Sequence, residues 1–329
     1  MNVDSRHPGA SEFPSARRTA VVIATRDRPA DLRRTLGNLR RSAGAAEIIV
    51  VDNASTGEVL DPLAREYPDV LFLRLRQNVG CGARTIGVRH ATRPFVAFSD
   101  DDSWWHPGSL GQAEQLFDHY PRLGAIAATV LVGKEEYPDP VVDRMRNGLS
   151  ADPSLPGRPV LGFLACGVVV RREAFLEAGG FEARYGMGGE ERLLALDIVR
   201  NGWGLVWAEQ VVAHHYPSVT SRDHDGRRLA ELRNGVWTAW LRRPLRIAIG
   251  ETLRLGSGCS DPLVRRALVD AARGLPWVLR ARQRVPDYLE DQLAELRRAE
   301  PNMGPRGKPS FRERNDVVAD ASGIPSERE

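Results

Sequence analysis

Cysteine is scarce. Cys81, Cys166 and Cys259 lie far apart with no C-x-x-C pair, so neither a disulfide framework nor a zinc site is indicated. Lysine is scarcer still, present only at Lys134 and Lys308, so almost all of the 46 basic residues are arginine. Long apolar runs are missing too. No stretch approaches the roughly 20 apolar residues that span a bilayer, and residues 1–18 lack the apolar core of a signal peptide. A formal charge of +3 over 329 residues is too small to point to nucleic acid. These absences lead to the expectation of a soluble chain in the reducing cytoplasm, at most peripheral at the inner face of a membrane.

Hydrophobic residues make up 42% of the chain, enough for one large α/β domain or two smaller ones. Residues 1–18 mix Pro, Ser, Gly and charge without periodicity and are expected to be disordered. A β-branched run at 19–25 then stops at Arg26-Asp27-Arg28-Pro29, as a buried parallel strand does on reaching a loop. Asp31 is placed to cap a helix with Leu32, Leu36 and Leu39 on one face. Strands at 47–51 and 70–74 follow, separated by a helix over 59–67, and a fourth strand starts at Phe95. Short links between alternating strands and helices predict a mainly parallel sheet flanked by helices. Beyond it the pattern gives a helix at 110–120, a strand at 124–132, an ordered apolar run at 163–170 and a helix over 172–178. Strands at 205–207 and 211–216 close the series. Residues 133–159, polar and rich in Pro and Gly, read as a mobile loop or lid.

The chemistry gathers at strand ends. The fourth strand delivers Asp100-Asp101-Asp102, three adjacent carboxylates whose repulsion a hard cation such as Mg²⁺ or Mn²⁺ relieves. A solvated acidic turn capping the next helix is the plainer alternative. Acidic or polar residues also follow the strands ending at Thr25 and Asp52, and open α/β sheets bind ligands beyond the carboxyl ends of their strands. Asn78-Val79-Gly80-Cys81-Gly82-Ala83-Arg84 lets backbone approach a ligand and offers Arg84 to phosphate, or is simply a tight turn. Gly186-Met187-Gly188-Gly189 precedes Glu190 and Glu191, two acids at a helix start that can face a cleft. His214 and His215 end a strand, where neighbours point to opposite faces, so at most one looks into any one site.

From residue 222 the character changes. Residues 222–298 hold sixteen arginines against ten acids, interleaved with Trp237, Trp240 and several leucines in helical spacing. Such a region is read first as a helical appendage whose arginine stems cover apolar surface, and second as a contact for anionic lipid or a polyanionic acceptor. Residues 300–329 are polar and expected to be disordered. The expected division is 1–18 tail, 19–221 main domain, 222–299 basic helices and 300–329 tail.

In this order, Thr25-Arg26-Asp27-Arg28-Pro29, Val50 to Ser55, Asn78 to Arg84, Asp100-Asp101-Asp102, Gly179-Gly180-Phe181, Gly189-Glu190-Glu191 and His214 resemble the family 2 glycosyltransferases. The resemblance covers residues 19–218. It implies the GT-A fold, a nucleotide-diphosphate sugar donor (UDP- or dTDP-linked) and inversion at the sugar. It also implies a divalent cation, Mn²⁺ or Mg²⁺, on the pyrophosphate. Carried over by position, Thr25 and Arg28 lie along the nucleotide, Asp52 accepts from the pyrimidine and Asp100 lies near the ribose. Asn78, Arg84 and Asp101 complete the expected donor contacts. Asp102 is the expected metal ligand, His214 the later one with His215 in reserve, and Glu191 the general base with Glu190 as alternative. The acceptor is a hydroxyl on a glycan, a lipid-linked saccharide or a small molecule. Departures are Glu190-Glu191 where the family often has Glu-Asp, and Leu193 and Asp197 where it has an acid and an arginine.

Two other functions compete. A nucleotidyltransferase acting on sugar phosphates would show a basic glycine-rich loop after the first strand, and residues 25–29 contain no glycine. A non-catalytic nucleotide-sugar-binding module would need no base, whereas Glu190 and Glu191 are both present.

Overall fold

A computed structural model describes residues 16–218 and 223–299. The expected tails at 1–15 and 300–329, and the expected boundary at 221/222, lie outside the described residues. Residues 16–18, expected to be disordered, are ordered: Ala16 is buried and the Arg17 and Arg18 amides donate to Glu114 Oε1 at 3.1 and 2.8 Å.

The first half runs β1 (Thr19–Thr25), α1 (Pro29–Ser42), β2 (Glu47–Asp52), α2 (Asp61–Glu66), β3 (Leu71–Arg74), α3 (Gly82–His90) and β4 (Phe95–Asp100). Then come β5 (Ser103–Trp105), α4 (Ser109–His119), β6 (Leu123–Val132), β7 (Tyr137–Pro138), α5 (Pro140–Arg146) and β8 (Arg158–Pro159). The domain closes with β9 (Val168–Arg171), α6 (Arg172–Glu177), α7 (Glu190–Arg200) and β10 (Gly204–His215). The main sheet has the order β3-β2-β1-β4-β9-β6-β10-β5, parallel from β3 through β4, with β9 running antiparallel between β4 and β6.

Alternation along each strand sorts the two cores. Val21, Ile23, Val50 and Ala97 face Leu32, Leu36 and Leu39 of α1 and Phe117 of α4. Val22, Val51, Val96 and Phe98 face α3, α6 and α7. Gly87 lets α3 settle on the sheet, since a Cβ there would come within 2.4 Å of Val22 Cγ1.

Two expectations need correction. The strands predicted at 205–207 and 211–216 are one, β10, because residues 209–211 loop out and pairing with β6 resumes at Val212↔Thr129. The 133–159 stretch is not a loose loop: it contains β7, α5 and β8, and buries Val142, Met145 and Leu149. Its few apolar residues show no regular period, which hid them from a periodicity reading, yet Val142, Met145 and Leu149 are buried.

The C-terminal part forms α8 (His224–Arg242), α9 (Leu245–Gly256), α10 (Pro262–Arg280) and α11 (Asp287–Ala299). Trp237, Leu241 and Val278 join the core on the α7 face of the sheet, and Leu289 and Leu293 pack with Leu149, Leu161 and Leu196. A buried pair fastens the junction: Arg242 donates from Nε and Nη2 to the two oxygens of Asp197 at 2.5 and 2.8 Å. Asp197, which departs from the family pattern, therefore holds the helical part to the domain. Among the described residues no helix is long and apolar enough to cross a membrane.

Candidate active site

Register brings the strand ends together. Thr25 lies opposite Asp52, Ala24 opposite Asp100, and His215 opposite Ser103 at the start of β5. A ligand over this edge meets the ends of β1, β2, β4 and β10 at once.

The three aspartates separate by role. Asp100 accepts from Arg84 Nη2 at 2.5 Å. Asp101 turns inward, accepting from Thr25 Oγ1 at 2.8 Å and Arg28 Nη1 at 3.3 Å, while its carbonyl accepts from Thr35 Oγ1 at 2.8 Å. Burial pushes the Asp101 carboxyl up to about 6, against the lowering pull of Thr25 and Arg28. Asp102 is wholly buried, with Oδ2 accepting from the Ser218 amide at 3.0 Å and Oδ1 lying 3.3 Å from His215 Nε2.

Asp100, Asp102 and His215 each bring one ligand atom within 4.8 Å of the other two. Two carboxylate oxygens and one imidazole nitrogen form a donor set that suits a divalent ion of the Mn²⁺ type. Asp100, assigned from the resemblance to the ribose, thus stands among the candidate metal ligands. His214 does not. It pairs in register with Trp104, stacks near that ring, and contacts Glu136 Oε1 at 2.9 Å and His106 Nδ1 at 3.0 Å. Burial lowers its pKa. Strand alternation allows only one of the two histidines to face this edge, and the pairing of β10 puts His215 beside Asp100 and Asp102.

At the end of β2, Asp52 is buried and accepts from the Ser55 amide at 2.8 Å, which shapes the turn that follows. Asn53, part of the Val50–Ser55 motif but given no role there, clamps the neighbouring loop: its Oδ1 accepts from the Val79 amide and its Nδ2 donates to the Gly80 carbonyl. Nothing in its local pattern set it apart. Asn78 accepts from the Gly80 amide at 2.9 Å and is itself exposed. Gly80 has φ +56°, and a Cβ there would lie 2.7 Å from the Gly186 backbone, so this loop and the Gly186–Gly189 loop touch directly.

That contact leads to the acids of α7. Gly188 and Gly189 have φ +113° and +82°, conformations that glycine adopts without strain, and they turn the chain into the helix at Glu190. Glu190 is buried; its Oε2 accepts from the Gly188 amide at 2.5 Å and its Oε1 lies 3.9 Å from Arg84 Nη1. Arg84, also buried, therefore lies between Asp100 and Glu190. Glu191 is only half-buried. Its carboxyl is pushed up to about 8, first by burial and then by the charge of Glu190. The helix N-terminus favours the anion, but desolvation outweighs it. A cavity of about 850 Å³ lies elsewhere, at the far ends of β6 and β10 beside Leu155, Trp203 and Tyr288. The converging side chains, not cavity size, mark this site.

Residues 20–179 match the family model described as glycosyl transferase family 2. Over 279 aligned positions the chain is 27% identical to the N-acetylglucosaminyl-diphospho-decaprenol L-rhamnosyltransferase of Mycobacterium tuberculosis, covering 72% of this chain and 91% of that one. A validoxylamine A glucosyltransferase of Streptomyces hygroscopicus is 38% identical over 89 residues, a quarter of this chain and 21% of its own. Among solved structures, GalNAc-T7 with UDP, GalNAc and Mn²⁺ superposes with a TM-score of 0.54 at 17% identity, over 70% of this chain and 48% of that one. The mannosyltransferase PcManGT of Pyrobaculum calidifontis, with GDP-Man and Mn²⁺, gives 0.51 at 18% identity, over 97% of this chain and 84% of that one. The fold is that of these glycosyltransferases, a mixed, mainly parallel sheet flanked by helices with a helical C-terminal part. The match to glycosyl transferase family 2 over just under half of the chain, together with the rhamnosyltransferase relative, supports a family 2 glycosyltransferase.

Proposed function

We propose that this chain transfers a sugar from a UDP- or dTDP-linked donor to an acceptor hydroxyl with inversion, and that Mn²⁺ or Mg²⁺ is bound by Asp100, Asp102 and His215. The carrying observation is that Arg84 bridges the candidate metal carboxylate Asp100 and Glu190, the first acid of α7. When bound, the cation would neutralise negative charge on the departing diphosphate.

The chain's own residues supply the rest. Thr25 and Arg28 line the nucleotide, with Asp101 fixing both. Asp52 accepts from the pyrimidine, and Asn53 and Asn78 shape the loop beside it. Glu191 is the base, since Glu190 is buried and occupied by the Gly188 amide and Arg84. Glu191 takes the acceptor's hydroxyl proton as that oxygen forms its bond to the anomeric carbon. The bond from that carbon to the phosphate oxygen breaks on the opposite side, and its electron pair leaves with the nucleoside diphosphate. A single displacement inverts the anomeric centre.

The mycobacterial relative is named for a saccharide on decaprenyl diphosphate, which supports a lipid-linked acceptor here. The test is Glu191→Gln assayed for transfer and for donor binding, with the product anomer read by NMR. Loss of transfer with donor binding kept, and an inverted product in the wild type, are expected. Wild-type turnover in the variant, or a retained anomer, would overturn the reading.

A further inference from the structure

The helix α9 buries only Ala248. Leu245, Ile249 and Leu253, four residues apart and hence in one row, stand 46–69% exposed. Arg246 and Arg254 are exposed on the adjoining strip of the same helix. The helix α10 adds two separate aliphatic side chains, Val269 and Leu279, each half exposed, with Arg266 and Arg273 still more exposed. Rows of exposed aliphatic side chains on a folded domain mark an interaction surface.

Charge selects the occupant. Residues 245–280 contain six arginines and three acids. Each acid is already engaged: Glu251 by Arg254 and Arg297, Asp261 by Arg228, and Asp270 by Arg273. An apolar row edged by arginine fits a surface whose interior is hydrocarbon and whose face carries phosphate. A second copy of the same face would set these arginines against themselves. We propose that the outer face of α9, with the exposed side chains of α10, docks on an anionic lipid bilayer, the aliphatic row of α9 entering the headgroup boundary and the arginines meeting lipid phosphates.

One helix joins this surface to the candidate site. The helix α8 touches both regions: Asn234 Nδ2 donates to the Gly188 carbonyl at 2.7 Å beside the acid pair, and Trp240 Nε1 donates to Thr252 Oγ1 of α9 at 3.0 Å. The proposal stands on this surface alone and does not rest on the transfer reading.

The experiment is sedimentation of the full chain with vesicles of phosphatidylcholine, alone or mixed with phosphatidylglycerol, at low and high salt. Pelleting with the mixed vesicles at low salt is expected, weakening as salt screens the arginines. The Ile249→Ser/Leu253→Ser double variant and the Arg246→Gln/Arg280→Gln double variant should each cut the bound fraction several-fold. All four positions are exposed, so an unchanged Tm shows that the variants are folded. The proposal is overturned if the wild type does not pellet with mixed vesicles, or if both folded variants pellet as it does. A wild-type dimer that the aliphatic variant dissociates, without lipid binding, also overturns it by assigning the face to a second copy.

Discussion

Arg84 holds Asp100 from inside the protein: its Nη2 donates to Asp100 Oδ1 at 2.5 Å although the arginine is only 2% exposed. Its Nη1 also lies 3.9 Å from buried Glu190. One guanidinium thus compensates carboxylates on β4 and α7, so the two halves of the site cannot be altered independently.

Removing that cation leaves Glu190 buried without its charge partner. Arg84→Met should destabilise the fold by about 3–5 kcal/mol, nearer the lower figure because Asp100 remains partly solvated. Chemical denaturation of the variant checks this. A change within a few tenths of a kcal/mol would mean that Arg84 does not anchor the site.

Glu191, the proposed base, should make activity pH-dependent. A general base works only when deprotonated, and this carboxyl is raised to about 8 by burial and by Glu190. In kcat/KM against pH, the acid limb should rise towards a midpoint well above the ordinary carboxylate range. Stability runs the other way. With the folded pKa above the unfolded one, the fold holds an extra proton between the ordinary glutamate value and about 8, so stability falls as pH rises through that window. Glu191→Gln should flatten that slope and lower kcat by about 10²–10⁴-fold.

The two histidines should behave oppositely. His215→Ala removes a candidate ligand and should weaken metal-dependent donor binding by more than the roughly 10–100-fold that loss of an outer-shell partner costs. His214→Ala disturbs only the contacts with His106, Trp104 and Glu136, and should leave the metal requirement unchanged. Titrating Mn²⁺ against donor binding in both variants separates them, and a reversed order would return the metal role to His214.

Most of the architecture was legible because the chain changes chemistry abruptly at strand ends. Thr19 to Thr25 and Phe95 to Asp100 are buried runs that stop at polar residues, so both strands and the acidic edge were predicted within a residue or so. The continuity of β10 was hidden because a bulge at residues 209–211 resembles a turn until β6 is seen to pair with both sides. Which histidine enters the site depends on the same pairing, since strand phase alone leaves two equal choices. Residue type and spacing do not separate Glu190 from Glu191, and the preference for Glu191 rests on the resemblance. Only the fold shows that one is spent on Arg84 and a backbone amide while the other keeps partial exposure.

The most direct test of the central claim is thermal unfolding of the wild type and Asp102→Ala with a panel of nucleotide sugars, each with and without Mn²⁺. A ligand that binds only the folded state raises Tm. The account predicts that at least one UDP- or dTDP-sugar raises Tm in the wild type when Mn²⁺ is present, and that Asp102→Ala abolishes the shift. A nucleotide-sugar shift that is the same without metal, or undiminished in Asp102→Ala, would contradict it.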